Sequence, residues 1–174
     1  MVDTRAGHRT TLITRELTMH PYPHVYTATA SGRSEGTVAL NSPSLPEIAT
    51  APPPEFDGPG DVWSPETLLC ASLADCFVLS FRAIARASKL EWTELACRVE
   101  GVLERVEGVT QFTGYTTFAS LKVPPGFETA KVRKLLEKAE HLCLISNSLR
   151  GKRTLVAAVV DSAAQPTFGG ADPT

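Results

Sequence analysis

The chain has 174 residues, a formal net charge of -2, 43% hydrophobic and 21% charged residues. This is the make-up of one globular domain and excludes disorder, collagen and coiled coil as whole-chain readings. The sequence pI near 6.1 gives no electrostatic reason to expect nucleic acid, and no stretch reads as the roughly 20 apolar residues that cross a bilayer, so neither partner is expected.

The opening Met1-Val2-Asp3-Thr4-Arg5 has no apolar run behind it, so no secretory signal is read and a cytoplasmic location is expected. Residues 1–20 read as an N-terminal extension, with Thr11 to Leu17 a possible strand. The main domain is expected over 21–162. Its first strand runs from Val25 to Ser31, β-branched and aromatic. Gly32-Arg33-Ser34-Glu35-Gly36 reads as a turn and Thr37 to Leu40 as the returning strand. Residues 41–64 hold six prolines, a density that reads as a long loop within the domain. A strong helix start follows: Ser64 as N-cap, Pro65 in the first position, Glu66 adding charge that the dipole favours. From there to about Ser88 there is neither Gly nor Pro, and Asp75 is the only charge between Leu68 and Phe81. A helix this apolar nearly all round is expected to be buried in a core or an interface. Thr93 to Val106 and Gln111 to Val123 read as paired strands about Gly108. Glu128 to Leu142 reads as an amphipathic helix, with a short helical turn after Cys143, a stop at Gly151 and a final strand at Leu155 to Val160. Residues 163–174 are expected to form a flexible tail. Strands, buried helix, strands, helix and strand make an α+β domain rather than an alternating βαβ one.

The candidate chemistry rests on four cysteines: Cys70, Cys76, Cys97 and Cys143. Structural disulfides are rare in a reducing cytosol, and none of the spacings matches a zinc site. His8, His20, His24 and His141 are scattered, and no metal is expected. By composition the thiols are buried, or some do chemistry. Cys76, near the middle of the apolar helix, is either a small buried hydrophobe or a nucleophilic thiolate. The helix dipole does not reach it, because it lies about 15 Å from the helix start. A reactive Cys76 therefore needs a cation from elsewhere, and Arg33 is the candidate by type, because guanidinium stays charged when buried.

Ser64-Pro65-Glu66-Thr67-Leu68-Leu69 followed by Ala71-Ser72-Leu73-Ala74-Asp75-Cys76-Phe77 resembles the signature of the OsmC/Ohr family, osmotically inducible protein C and organic hydroperoxide resistance protein. Ala139 to Asn147 is similar to the family's second cysteine motif, usually Cys-Pro-x-Ser. Tyr26 to Arg33 is similar to its strand and arginine turn. The resemblance spans roughly residues 24 to 161. Leu144 stands where the family usually has Pro, and Asp75 where a small neutral residue is commoner.

The resemblance implies an OsmC-like fold, with antiparallel sheets packed around a long buried central helix in an intertwined homodimer. It implies a thiol peroxidase for organic hydroperoxides. Cys76 would be the peroxidatic thiolate and Cys143 the resolving thiol, forming an intrachain disulfide. Arg33 would lower the Cys76 pKa and steer the peroxide, and Glu66 would orient Arg33. No bound cofactor is implied, only an external dithiol reductant of the lipoyl type. The alternative is a divergent relative without peroxidase activity, binding a small apolar ligand or serving as a structural dimerisation module. Helix arithmetic adds an independent expectation. Glu66 and Cys76 lie about 15 Å apart on one helix and about 80° out of phase. If both belong to one site, a second copy of the helix must cross the first. Cys70 and Cys97 are expected to pack in the core.

Overall fold

A computed structural model describes residues 20–161. The expectations for the extension before residue 20, including the strand at Thr11 to Leu17, and for the tail after 161 lie outside the described residues.

Strand β1 (Thr29–Ser31) pairs antiparallel with β2 (Val38–Asn41), and β2 with β3 (Ile48–Thr50). The expected strand from Val25 shortens at its start. Its partner β2 ends at Asn41, opposite Thr29, and Pro43 two residues later has no N–H to extend a ladder. Ser42 Oγ instead donates to the Thr27 carbonyl at 3.0 Å.

The segment 41–64 is not one uninterrupted loop. The Pro-free triplet Ile48-Ala49-Thr50 forms β3 at the sheet edge, the position that neighbouring prolines permit. A short 3-10 turn follows at Pro54–Phe56. Gly58 closes this turn by donating to the Pro53 carbonyl at 3.0 Å. A Cβ on Gly58 would fall 1.6 Å from the Pro52 oxygen. Gly58→Ala is therefore expected to cost about 1–3 kcal/mol by overpacking and to lower Tm by roughly 2–12 °C in a thermal melt.

Helix α1 (Pro65–Ala87) starts where the sequence places it. Ser64 Oγ accepts the Thr67 N–H at 3.2 Å, and the Ser64 N–H donates to Thr67 Oγ1 at 2.9 Å. This reciprocal cap fixes the start and hence the phase of everything downstream. Strands β4 (Glu94–Val106) and β5 (Val109–Val123) form a long antiparallel hairpin. Helices α2 (Thr129–Leu142) and α3 (Leu144–Ser148) carry the chain back to β6 (Lys152–Asp161).

The fold is α+β, as expected, but its second sheet is mixed. Strand β6 pairs parallel to β5, Gly114 opposite Lys152 through Val123 opposite Asp161. That corrects the expectation of antiparallel sheets. The reason is the connection: two strands joined through helices crossing one face run parallel, whereas a tight turn makes them antiparallel.

The core lies between α1, α2 and the β4-β5-β6 sheet. Phe77, Phe81 and Ile84 of α1 meet Leu121 and Val123 of β5 and Val132, Leu136 and Ala139 of α2. Phe81 packs edge-on to Trp92, with centroids 5.5 Å apart. Full burial of each such side chain contributes about 1.5–3 kcal/mol.

The helix expected to be buried in a core or an interface puts one face into the core of this chain. Leu73, Phe77, Phe81, Ile84 and Ala85 face inward, while Leu79 is 49% exposed. Its 23 residues, with mean hydropathy 1.8 over the most apolar window, are long and apolar enough for a membrane span. The reading that no stretch approaches this is corrected. The same helix carries the core contacts of the domain.

Candidate active site

Cys76 sits one residue before the fully buried Phe77, on the border between the packed face of α1 and its open face. It is half-buried and opens on a cavity of about 730 Å³. Tyr26, Asp75, Leu79, Leu144 and Ile145 line this cavity, with Ser148 at the start of the exit from α3. The walls are mainly apolar, as small-molecule sites usually are, with a few polar groups among them.

Cys143 lies at the junction of α2 and α3 and is 1% exposed. The Cys76 side chain lies close enough to act on its thiol. Both are free thiols. Burial pushes the Cys143 thiol up to about 11, against the Ser146 backbone N–H, which pulls it down; Cys76 and the Glu140 charge raise it further. Cys143 is therefore a neutral thiol at neutral pH.

Cys97, on β4, lies in the same neighbourhood. Burial pushes it up to about 12, and the charges of Glu140 and Cys143 add to the rise. A thiol so reluctant to ionise behaves as a packing group. Cys70 occupies a separate cavity of about 260 Å³ with Glu66, Gly101 and Phe112. Burial raises it, opposed by the Gly101 backbone. A Cβ on Gly101 would fall 2.8 Å from the Phe112 ring and 3.1 Å from Cys70 Sγ, so the three are closely packed.

The remaining residues singled out in the sequence stand apart from the thiol pair in the single chain. Glu66 is half-buried beside cavities of about 540 and 260 Å³ near the first sheet and the Pro53–Phe56 segment. Its Oε2 is buried with no hydrogen-bond partner. Arg33 is exposed in the turn between β1 and β2. Neither residue lines the Cys76 cavity. Leu144, at the motif's usual proline position, is the first residue of α3, a position that accepts Pro or Leu alike. Its side chain is 72% exposed at the cavity wall. Asp75 is exposed on the same cavity.

Sequence reasoning missed several groups here. Tyr26 reaches the cavity from the segment before β1. Ser146 is buried, donates to Glu140 Oε1 at 2.8 Å and accepts from Arg153 Nη1 at 3.0 Å. Arg153 also donates to Asn147 Oδ1 at 2.7 Å. Glu140, three residues before Cys143, was recoverable from helical spacing, whereas Arg153 on β6 arrives only through the fold. Among the described residues no group of three or more His, Cys, Asp or Glu is placed to hold a metal.

The OsmC-like protein family matches residues 58–157, which include both thiols and Glu66. The chain belongs to the OsmC family. Within it, the chain is 32% identical over 136 residues to the organic hydroperoxide resistance protein of Xanthomonas axonopodis pv. citri, covering 75% of this chain and 92% of that one. An OsmC-like protein of unknown function from Vibrio cholerae superposes with a TM-score of 0.71 at 16% identity, over 78% of this chain and 99% of that one. That likeness concerns the fold. An OsmC organic hydroperoxide resistance protein from Legionella pneumophila superposes with a TM-score of 0.64 at 26% identity, over 80% and 98%.

Proposed function

We propose that this OsmC-family protein is a thiol peroxidase that reduces organic hydroperoxides to alcohols. The observation that carries the reading is that Cys76, beside an apolar-walled cavity, lies close enough to Cys143 to act on its thiol. The relative of 32% identity named for organic hydroperoxide resistance supports the substrate class. The Cys76 thiolate attacks the peroxide O–O bond. The alkoxide leaves and is protonated to the alcohol, and Cys76 becomes a sulfenic acid. Cys143 sulfur then attacks the sulfenic sulfur, forming the S–S bond. The hydroxide leaves as water with the proton given up by Cys143. An external dithiol, of lipoyl type by family likeness, reduces the disulfide by exchange and is itself oxidised. The bond is transient, which suits a reducing cytoplasm.

Arg33 and Glu66 complete the site from a second copy of the chain in this reading. The orphaned Glu66 oxygen calls for a donor, and the guanidinium of Arg33 is suited to it. The open face of α1 and the highly exposed Tyr22, Val25 and Tyr26 give a homodimer surface to cover.

The test is a thiol count. One equivalent of cumene hydroperoxide added to the reduced protein is expected to remove two thiols per chain. If the count does not change, the peroxidase reading fails, and the non-catalytic relative with an apolar ligand gains by it.

A further inference from the structure

Cys143 must lose its proton to attack an oxidised Cys76, yet its surroundings hold that proton. Charged or titratable groups face it from each element packed around it. Cys76 comes from α1, Cys97 from β4 and Glu140 from α2, while Asp75 and His141, next in sequence on α1 and α2, are exposed. Arg153 comes from β6 and reaches this group through Ser146. Glu140 and Arg153 are tied to one another by a single hydroxyl. The Arg153 guanidinium donates to Ser146 Oγ, and the same hydroxyl donates on to Glu140 Oε1. Ser146 is 3% exposed and Glu140 half-buried, so the middle of the chain is shielded, and Arg153 reaches it from an exposed position. The Ser146 backbone N–H, at the same residue, acts on the Cys143 sulfur. The Asn147 amide adds two ties, its Nδ2 to the His141 carbonyl at 3.0 Å and its backbone N–H to the Cys143 carbonyl at 3.0 Å.

We propose that the Arg153–Ser146–Glu140 chain is a positioning device for Cys143 that sets the speed and pH dependence of disulfide formation, while leaving the peroxide step alone. This rests on the reading of Cys143 as the resolving thiol. Two opposed charges act through one serine, so the two charge removals have opposite signs. Glu140→Gln keeps an acceptor for the Ser146 hydroxyl and removes the negative charge that disfavours the Cys143 thiolate. Arg153→Met removes the compensating cation and leaves Glu140 unopposed. A downward shift of one pKa unit raises the thiolate fraction tenfold. It also lowers intrinsic nucleophilicity, leaving a net gain of about threefold below the pKa.

The experiment is single-turnover oxidation of the reduced full chain by cumene hydroperoxide, quenched at intervals. Cys76 sulfenate and disulfide are counted separately by mass spectrometry across a pH series. Sulfenate formation is expected to be the same in all three proteins. Disulfide formation is expected to be about threefold faster in Glu140→Gln, with its pH profile moved down. In Arg153→Met it is expected to be slower by a similar factor, with the profile moved up. A merely structural network would slow both variants, and that result overturns the proposal, as does an equal rate in all three. A direct titration of Cys143 needs no peroxide: the thiolate ultraviolet absorbance of Cys76→Ser, less that of Cys76→Ser/Cys143→Ser, with and without Glu140→Gln. Absence of sulfenate in the first experiment defeats the peroxidase reading. An unmoved Cys143 titration in the second defeats this inference by itself.

Discussion

Cys76→Ser is expected to bring hydroperoxide consumption down on the order of a thousandfold or more, and Cys143→Ser to leave one turnover per chain. The two variants differ because the two sulfurs meet different bonds. At Cys76 the sulfur lone pair breaks the O–O bond. A serine hydroxyl in the same place is barely ionised at neutral pH and is not oxidised by peroxide. At Cys143 the sulfur acts only after the alcohol has left. Without it the first turnover proceeds and, at one equivalent of peroxide, stops at the Cys76 sulfenic acid; in excess, a second equivalent oxidises this to the irreversible sulfinic acid and releases a second alcohol. Burst measurement of the alcohol and mass spectrometry of Cys76 together read this out. Full steady-state turnover in Cys143→Ser would mean that the external reductant meets the sulfenic acid directly, and the resolving role would pass from Cys143 to that reductant.

Much of the fold is written in local sequence. The α1 start is legible because Ser64, Pro65 and Glu66 act on their own turn, and the structure adds only the Thr67 half of the cap. The β4–β5 hairpin and α2 follow from residues within one segment. What local pattern does not carry is pairing between distant segments. The parallel register of β6 on β5 is set by how the α2–α3 connection crosses the sheet, not by the composition of Leu155 to Val160. Likewise β3 depends on β2 lying alongside it, since three residues between prolines have no strand signature of their own.

The site divides along the same line. Cys76 and Cys143 carried recognisable flanking residues, and the structure brings those two together. Ser146 was visible as part of the second motif, but its buried hydroxyl gains meaning only from Arg153, which arrives with β6. Cys97 kept its expected place as a packing group. Its nearness to Glu140 and Cys143 arrives with the fold, since β4 and the α2–α3 junction are far apart in sequence.

The second large effect tests whether the site needs two chains. Arg33→Ala alone is expected to lose tenfold to a hundredfold in activity, the scale of a cation removed from beside a thiolate. A heterodimer of one Arg33→Ala chain and one Cys76→Ser chain, co-expressed with different tags and purified on both, is expected to regain roughly half of wild-type activity. The Cys76 of the first chain then faces the intact Arg33 and Glu66 of the second, restoring one of the two sites. The geometry behind this is the separation of the parts in one chain. Glu66 and Cys76 open on different cavities along a single helix, about 15 Å apart along its axis. No rotamer of Glu66 spans that distance, whereas a second α1 crossing the first brings the two together. If the purified heterodimer is no more active than Arg33→Ala alone, the composite site is wrong. Arg33 must then act from within its own chain, through a movement of the β1–β2 turn toward Cys76.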